Sequence, residues 1–149
     1  MTTFPHISTS SLPLDVLDLK HDEFYQFVQD QCGPIQANML KFQLISDASI
    51  FIECDNPTEI IAYDSVKLNK LKVDSCLMTA GGSSIILPGI TASFSKLKKL
   101  LLKKFDENIK ESRRKTILSN TSAVSTALST TQLTPIDDLR NHISKSINQ

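Results

Sequence analysis

The residues in this chain best suited to bond-making chemistry are three cysteines and three histidines. Cys32 and His21 form the one combination with a mechanism worth testing, because a thiol held against an imidazole is an activated nucleophile. They flank an apolar-periodic segment and stand about one helix apart, and a thiol packed at a helix end accounts for Cys32 without catalysis. Cys32, Cys54 and Cys76 are odd in number and widely spaced, a poor disulfide framework. Reduced thiols inside the cell are the expectation. No C-x-x-C, H-x-x-x-H or mixed cluster has zinc spacing, so no metal is expected. Gly81-Gly82 fits neither the P-loop nor the dinucleotide pattern, and no G-x-S-x-G elbow is present. The acid pairs Asp22/Glu23 and Asp137/Asp138 fall at helix starts, where the helix dipole explains them. The chain is therefore expected to be no enzyme and to need no cofactor.

The strongest chemical signal is charge. Residues 1–60 hold nine acids against two bases, whereas residues 96–115 hold nine bases against three acids, although the net charge is zero. Lys96, Lys98, Lys99, Lys103, Lys104, Lys110, Arg113, Arg114 and Lys115 make up the basic segment. Eight of these, Lys98 excepted, are the candidate contacts to a partner or to nucleic acid. Lys98 falls within the apolar arc of the predicted helix and must snorkel out of it. The acids Asp15, Asp18, Asp22, Glu23 and Asp30 could face this segment within one molecule, or meet it on a second copy. Ser112 and Thr116 adjoin Arg113-Arg114-Lys115, and Thr134 precedes Pro135. These three are candidate phosphorylation sites, and phosphate on Ser112 or Thr116 would weaken the basic segment.

Positioning these groups falls to a small set of elements. Asp22–Gln31 reads as a helix with Phe24, Phe27 and Val28 at helical spacing and Asp22 as its cap. Gly33-Pro34 ends it and opens a second helix, in which Ile35, Met39, Phe42 and Ile45 share a face beside Leu40 and Leu44. Ser46 can cap a short helix through Ile50-Phe51-Ile52, a run that reads equally well as a strand. Asn56-Pro57-Thr58-Glu59 starts another, with Ile60, Ile61 and Tyr63 inward. Ser65 restarts a helix through Val66, Leu68, Leu71 and Val73. Gly81-Gly82 between two apolar runs is a hairpin signal. Thr91 can cap the longest helix, about residues 92–110, with Phe94, Leu97, Leu101, Phe105 and Ile109 as its apolar stripe.

The predicted fold is α+β: one small, mainly helical domain with a β-hairpin and a long basic C-terminal helix, with an all-α domain as the alternative. Residues 1–13 are expected to be a disordered leader, 14–112 the compact domain, and 113–149 a flexible Ser/Thr-rich tail. That tail carries a short amphipathic helix near 135–147, with Ile136, Leu139, Ile143 and Ile147 on one stripe. No apolar run approaches the ~20 residues of a membrane span, and the N-terminus has no signal-peptide pattern. The expected location is the cytoplasm or nucleus. Together these readings point to a non-enzymatic interaction module or adaptor that binds a protein partner or itself. The alternative is a nuclear nucleic-acid-associated or transcription-related protein that binds phosphates through residues 96–115.

Overall fold

The computed structural model describes residues 8–127, with side chains as far as residue 120. Thr134 and the helix expected near 135–147 lie outside the described residues, as do residues 1–7. The fold is α+β, with five α-helices, two short 3-10 turns and one antiparallel hairpin among the described residues.

The core begins earlier than the sequence suggested. Leu12 and Val16 are buried in it, anchored by consecutive turns in which Leu12 N–H donates to Thr9 O and Val16 N–H to Pro13 O. Leu12 therefore ties residues 9–12 to the folded part. Helix α1 (Asp22–Cys32) buries Phe24, Phe27 and Val28. Asp22 does not cap it. His21 occupies the cap position at φ 51 with no side-chain bond, and its N–H donates to Ser46 O at 2.7 Å. Gly33, at φ 114, turns the chain into helix α2 (Pro34–Phe42), as the Gly-Pro pair implied.

In α2 the buried face is Gln36, Ala37, Met39 and Leu40, with Ile35 half-buried and Phe42 exposed. Of the expected face Met39 is buried within the helix and Ile45 beyond its end, whereas Phe42, the last helical residue, is exposed. Leu44, at φ 59, then throws its own side chain into solvent. The buried Gln36 amide is satisfied, since Nε2 donates to Ser93 Oγ at 2.9 Å and that hydroxyl donates to Ile90 O.

The ambiguous run around Ile50 is helical, forming α3 (Ala48–Glu53), which buries Ala48 and Phe51 three positions apart. The 3-10 turn at Glu59–Ala62 buries Ile61, while Tyr63 lies beyond it in extended backbone and points outward. A second 3-10 turn, Val66–Leu68, precedes α4 (Asn69–Ser75). The expected single helix from Ser65 is thereby broken. Leu68 and Leu71 reach the core, whereas Val66 and Val73 are exposed.

Strands β1 (Cys76–Met78) and β2 (Ser84–Ile86) pair antiparallel, with Leu77 opposite Ile85. Their turn is closed by Gly82 N–H to Thr79 O at 2.9 Å, with Gly82 at φ 81, a conformation that favours glycine. Helix α5 runs from Pro88 to Ala127. It starts three residues before the Thr91 cap and ends well past Lys110. Pro at the first position suits its beginning. Its extension through the Ser/Thr-rich stretch follows from cooperativity, because lengthening an existing helix avoids the nucleation cost. The hydroxyls there bond their own helix, Thr116 Oγ1 to Ser112 O and Ser119 Oγ to Thr116 O, both at 3.0 Å.

The chain divides into two units at Asn108/Ile109. The first holds the core, closed by Ile90, Phe94, Leu97, Leu100 and Leu101, with Phe94 tilted against Phe51 at 5.9 Å between ring centres. Phe105, on the predicted stripe, is 49% exposed. In the second unit the described side chains after Ile109 are exposed as far as Asn120.

Candidate functional site: basic residues of the last helix

Helical geometry sorts the basic segment. In the first unit Lys96, Lys99 and Lys103 stand at i, i+3 and i+7, and so share one face of α5. Lys96 and Lys99 are exposed and Lys103 is half-buried. Lys104 falls four positions after Leu100 and seven after Leu97, on the core side, and is half-buried there. In the second unit Lys110, Arg113 and Arg114 form a separate exposed group at i, i+3 and i+4. Lys115 is exposed and pairs with Glu111 one turn back at 2.9 Å, an exposed contact worth ~0.3–0.5 kcal/mol. Ser112 and Thr116 are exposed, although the Thr116 hydroxyl is engaged with the Ser112 carbonyl.

Lys98 behaves differently from its neighbours. It leaves the apolar arc as expected, but its ammonium stays partly inside. Nζ donates to the Cys54 carbonyl at 2.9 Å, at the C-terminal end of α3. A cation there satisfies an orphan carbonyl and favours the negative end of that helix. Lys98 therefore joins α3 to α5 instead of facing a partner. It also borders a cleft of about 160 Å³ with Phe51, Pro57 and Phe94, below the ~300 Å³ typical of small-molecule sites.

The acidic first half does not cover Lys96 or Lys99. Asp15, Asp18, Asp22, Glu23 and Asp30 are all exposed. Asp22 pairs with Lys41 of α2 at 3.4 Å, not with α5, and Gln26 donates to Asp30 at 3.0 Å. Glu107 lies on α5 itself and accepts from Thr9 Oγ1 at 2.7 Å. In the first unit these five acids and Lys96 and Lys99 are therefore all exposed.

The Cys32/His21 pair does not assemble. His21 precedes α1 and Cys32 ends it, which separates them by about 16 Å at 1.5 Å per residue. Burial pushes the Cys32 thiol up from its ordinary 9.0 to about 11, with Lys96 and a contact to Ser93 opposing the rise. A thiol held protonated, with Sγ donating to Ser93 O, is a weak nucleophile near neutral pH. Among the described residues no group of three His, Cys, Asp or Glu could hold a metal ion. No described helix is long and apolar enough to cross a membrane.

One feature had no counterpart in the sequence reading. Asn38, Lys41, Phe42, Lys67, Lys70, Leu71 and Asp74 line an open cleft of about 320 Å³ between α2 and α4. Lys67 and Lys70 are neighbours in sequence, but nothing in the spacing brings Lys41 to them. Lys41 is already engaged there, by Asp22 and by the Tyr25 ring at 5.7 Å. No family model, curated protein or solved structure matches this chain.

Proposed function

We propose that the chain is a non-enzymatic protein–protein interaction module that presents the basic residues of α5 to an acidic partner in the cytoplasm or nucleus. The observation that carries this reading is the exposure of Lys96 and Lys99 on one face of α5. An exposed cationic face raises the encounter rate with an acidic surface and fixes the register of the contact. Lys110, Arg113 and Arg114 extend the same chemistry in the second unit. Phosphate on Ser112 or Thr116 would add negative charge among those cations and weaken the contact.

A second reading, a transcription-related protein on nucleic-acid phosphates, is favoured by the exposed Arg113 and Arg114 guanidiniums, which suit bidentate phosphate contacts. It would be non-specific and steeply salt-dependent. The test is capture from nuclease-treated cell extract on the full-length chain, beside a Lys96→Glu/Lys99→Glu variant. Wild type should retain an acidic protein at low salt and release it by about 0.5 M, where the Debye length falls well below 10 Å, and the variant should retain none. Equal retention by both proteins would sink the proposal. A mobility shift of nucleic acid at about 50 mM salt, without protein capture, would favour the second reading.

A further inference from the structure

The cleft between α2 and α4 gathers cations from separate elements beside an apolar surface. The two helices pack on each other. Asn38, Lys41 and Phe42 stand at i, i+3 and i+4 and so share the face of α2 that lines the cleft. Lys70 and Asp74 stand at i and i+4 on α4, and Lys67 joins them from the 3-10 turn before it. Leu71, which is buried, and Phe42, at 42% exposure, supply the apolar lining.

Three lysines line this cleft against one acid, Asp74. Lys67 and Lys70 are exposed and make no ion pair among the described residues. Lys41 is held from two sides, by the Tyr25 ring at 5.7 Å and by Asp22 at 3.4 Å. Holding it in advance lowers the ordering cost of a contact. The Asp22–Lys41 pair is exposed at both ends, so solvent screens it and an incoming anion can compete for the ammonium. Like charges collected around a cleft with apolar walls focus their field on whatever enters it.

We infer that this cleft binds a small phosphate monoester whose phosphate is carried on a ring bearing a hydrogen-bond donor. The lysine ammoniums take the phosphate as point charges. Phe42 offers aromatic surface against which the ring packs. Asp74 accepts from a hydroxyl or amino group of the ligand, and Asn38 can donate or accept. The same lining discriminates. Asp74 opposes a ligand that is anionic all round, such as a polyphosphate or a nucleic-acid strand. Bare inorganic phosphate leaves the apolar residues without a contact. About 320 Å³ lies at the lower end of small-molecule sites, which suits one molecule of this size.

The proposal goes beyond the basic surface of α5, since no lysine of that helix lines the cleft. The cleft is open and its cations are hydrated, so binding is weak and salt-dependent, with a Kd of roughly 0.1–1 mM expected.

The test is a titration of the full-length, isotope-labelled chain with adenosine monophosphate to about 10 mM, tenfold above the weakest expected Kd, followed by amide chemical shifts. Adenosine and inorganic phosphate are titrated separately. The expected result is saturable shifts at residues 38–42 and 67–74, with both partial probes binding at least about tenfold more weakly. Lys67→Gln/Lys70→Gln, checked for folding by near-ultraviolet circular dichroism, should lose at least about tenfold in affinity. Asp74→Asn supplies a readout that a merely structural change would not give: it should weaken adenosine monophosphate and strengthen inorganic phosphate. Shifts that do not saturate, equal affinity for adenosine monophosphate and inorganic phosphate, or full affinity in the double lysine variant each overturn the proposal. So does an Asp74→Asn protein that binds both probes more tightly. The Lys96→Glu/Lys99→Glu variant should bind adenosine monophosphate unchanged, and saturable shifts confined to α5 overturn the proposal as well. A chain that binds no adenosine monophosphate but still captures an acidic protein leaves the proposed function standing while this inference falls.

Discussion

Cys32 carried the best case for covalent chemistry in the sequence, and its surroundings work against it. The thiol sits at the end of α1, packed against the core and bonded to Ser93 O, so ionising it means placing a thiolate in a poorly solvated place. That raises its pKa from 9.0 to about 11. The consequence for stability has a definite sign. Below about pH 9 the thiol is protonated in folded and unfolded chains alike, so its full contribution is present. Between about 9 and 11 the unfolded chain ionises first, binds fewer protons and is favoured. The contribution is lost as pH rises through about 11. The midpoint of urea unfolding should therefore fall more steeply over this range in wild type than in Cys32→Ala. Every other group is common to both proteins, so the difference isolates Cys32. Parallel curves would show that the thiol is not buried as described.

At the scale of elements, periodicity and punctuation were largely legible and the ends of helices were not. Gly33-Pro34 and Gly81-Gly82 act as read, because each demands a backbone conformation that few other residues supply. Caps are harder, because adjacent Ser and Asp residues are interchangeable in pattern and only the entering chain direction decides between them. At α3 the Asp47 carboxylate, one place beyond the expected Ser46, accepts from Ile50 N–H at 2.9 Å, while the Ser46 carbonyl is held by His21 N–H. Asp47→Ala should thus cost about 1 kcal/mol in urea unfolding. Ser46→Ala, which keeps its backbone bond, should stay within about 0.5 kcal/mol. The reverse order would place the start of α3 at Ser46. The same limit explains the Val66–Val73 stretch. Its spacing suits one helix, but a 3-10 turn followed by α4 rotates Val66 and Val73 outward and keeps Leu68 and Leu71 inward. Lys98 was legible as an anomaly in the apolar arc. Its acceptor, the Cys54 carbonyl, lies forty-four residues away and could not be read from spacing.

For the whole molecule, composition set a compact domain apart from a Ser/Thr-rich tail. Ser and Thr between residues 116 and 134 suggested a chain without order, since it has too little apolar surface to bury. The described part is nonetheless helical as far as Ala127, and the resolution lies in what stabilises each stretch. From Ile90 to Leu101 the helix is held by five buried side chains, so opening it exposes the core. From Lys110 to Asn120 every side chain is exposed, Ile117 and Leu118 included. There the helix rests on propagation from its ordered beginning, on the Glu111–Lys115 pair and on hydroxyls bonded to their own backbone. Such a stretch opens at a free energy near zero, whereas the core segment opens only with the domain. Hydrogen exchange followed by mass spectrometry should show amides of residues 110–120 exchanging at least about a hundredfold faster than those of 94–101, a difference of about 2.7 kcal/mol in opening. Heating should likewise give a sigmoidal loss of near-ultraviolet signal from the first unit, over a gradual slope in far-ultraviolet helicity that begins well below the transition. Equal protection along the whole of α5 would mean that the exposed face of residues 110–120 is covered in solution. A basic surface covered in that way would already be occupied before an acidic partner arrives.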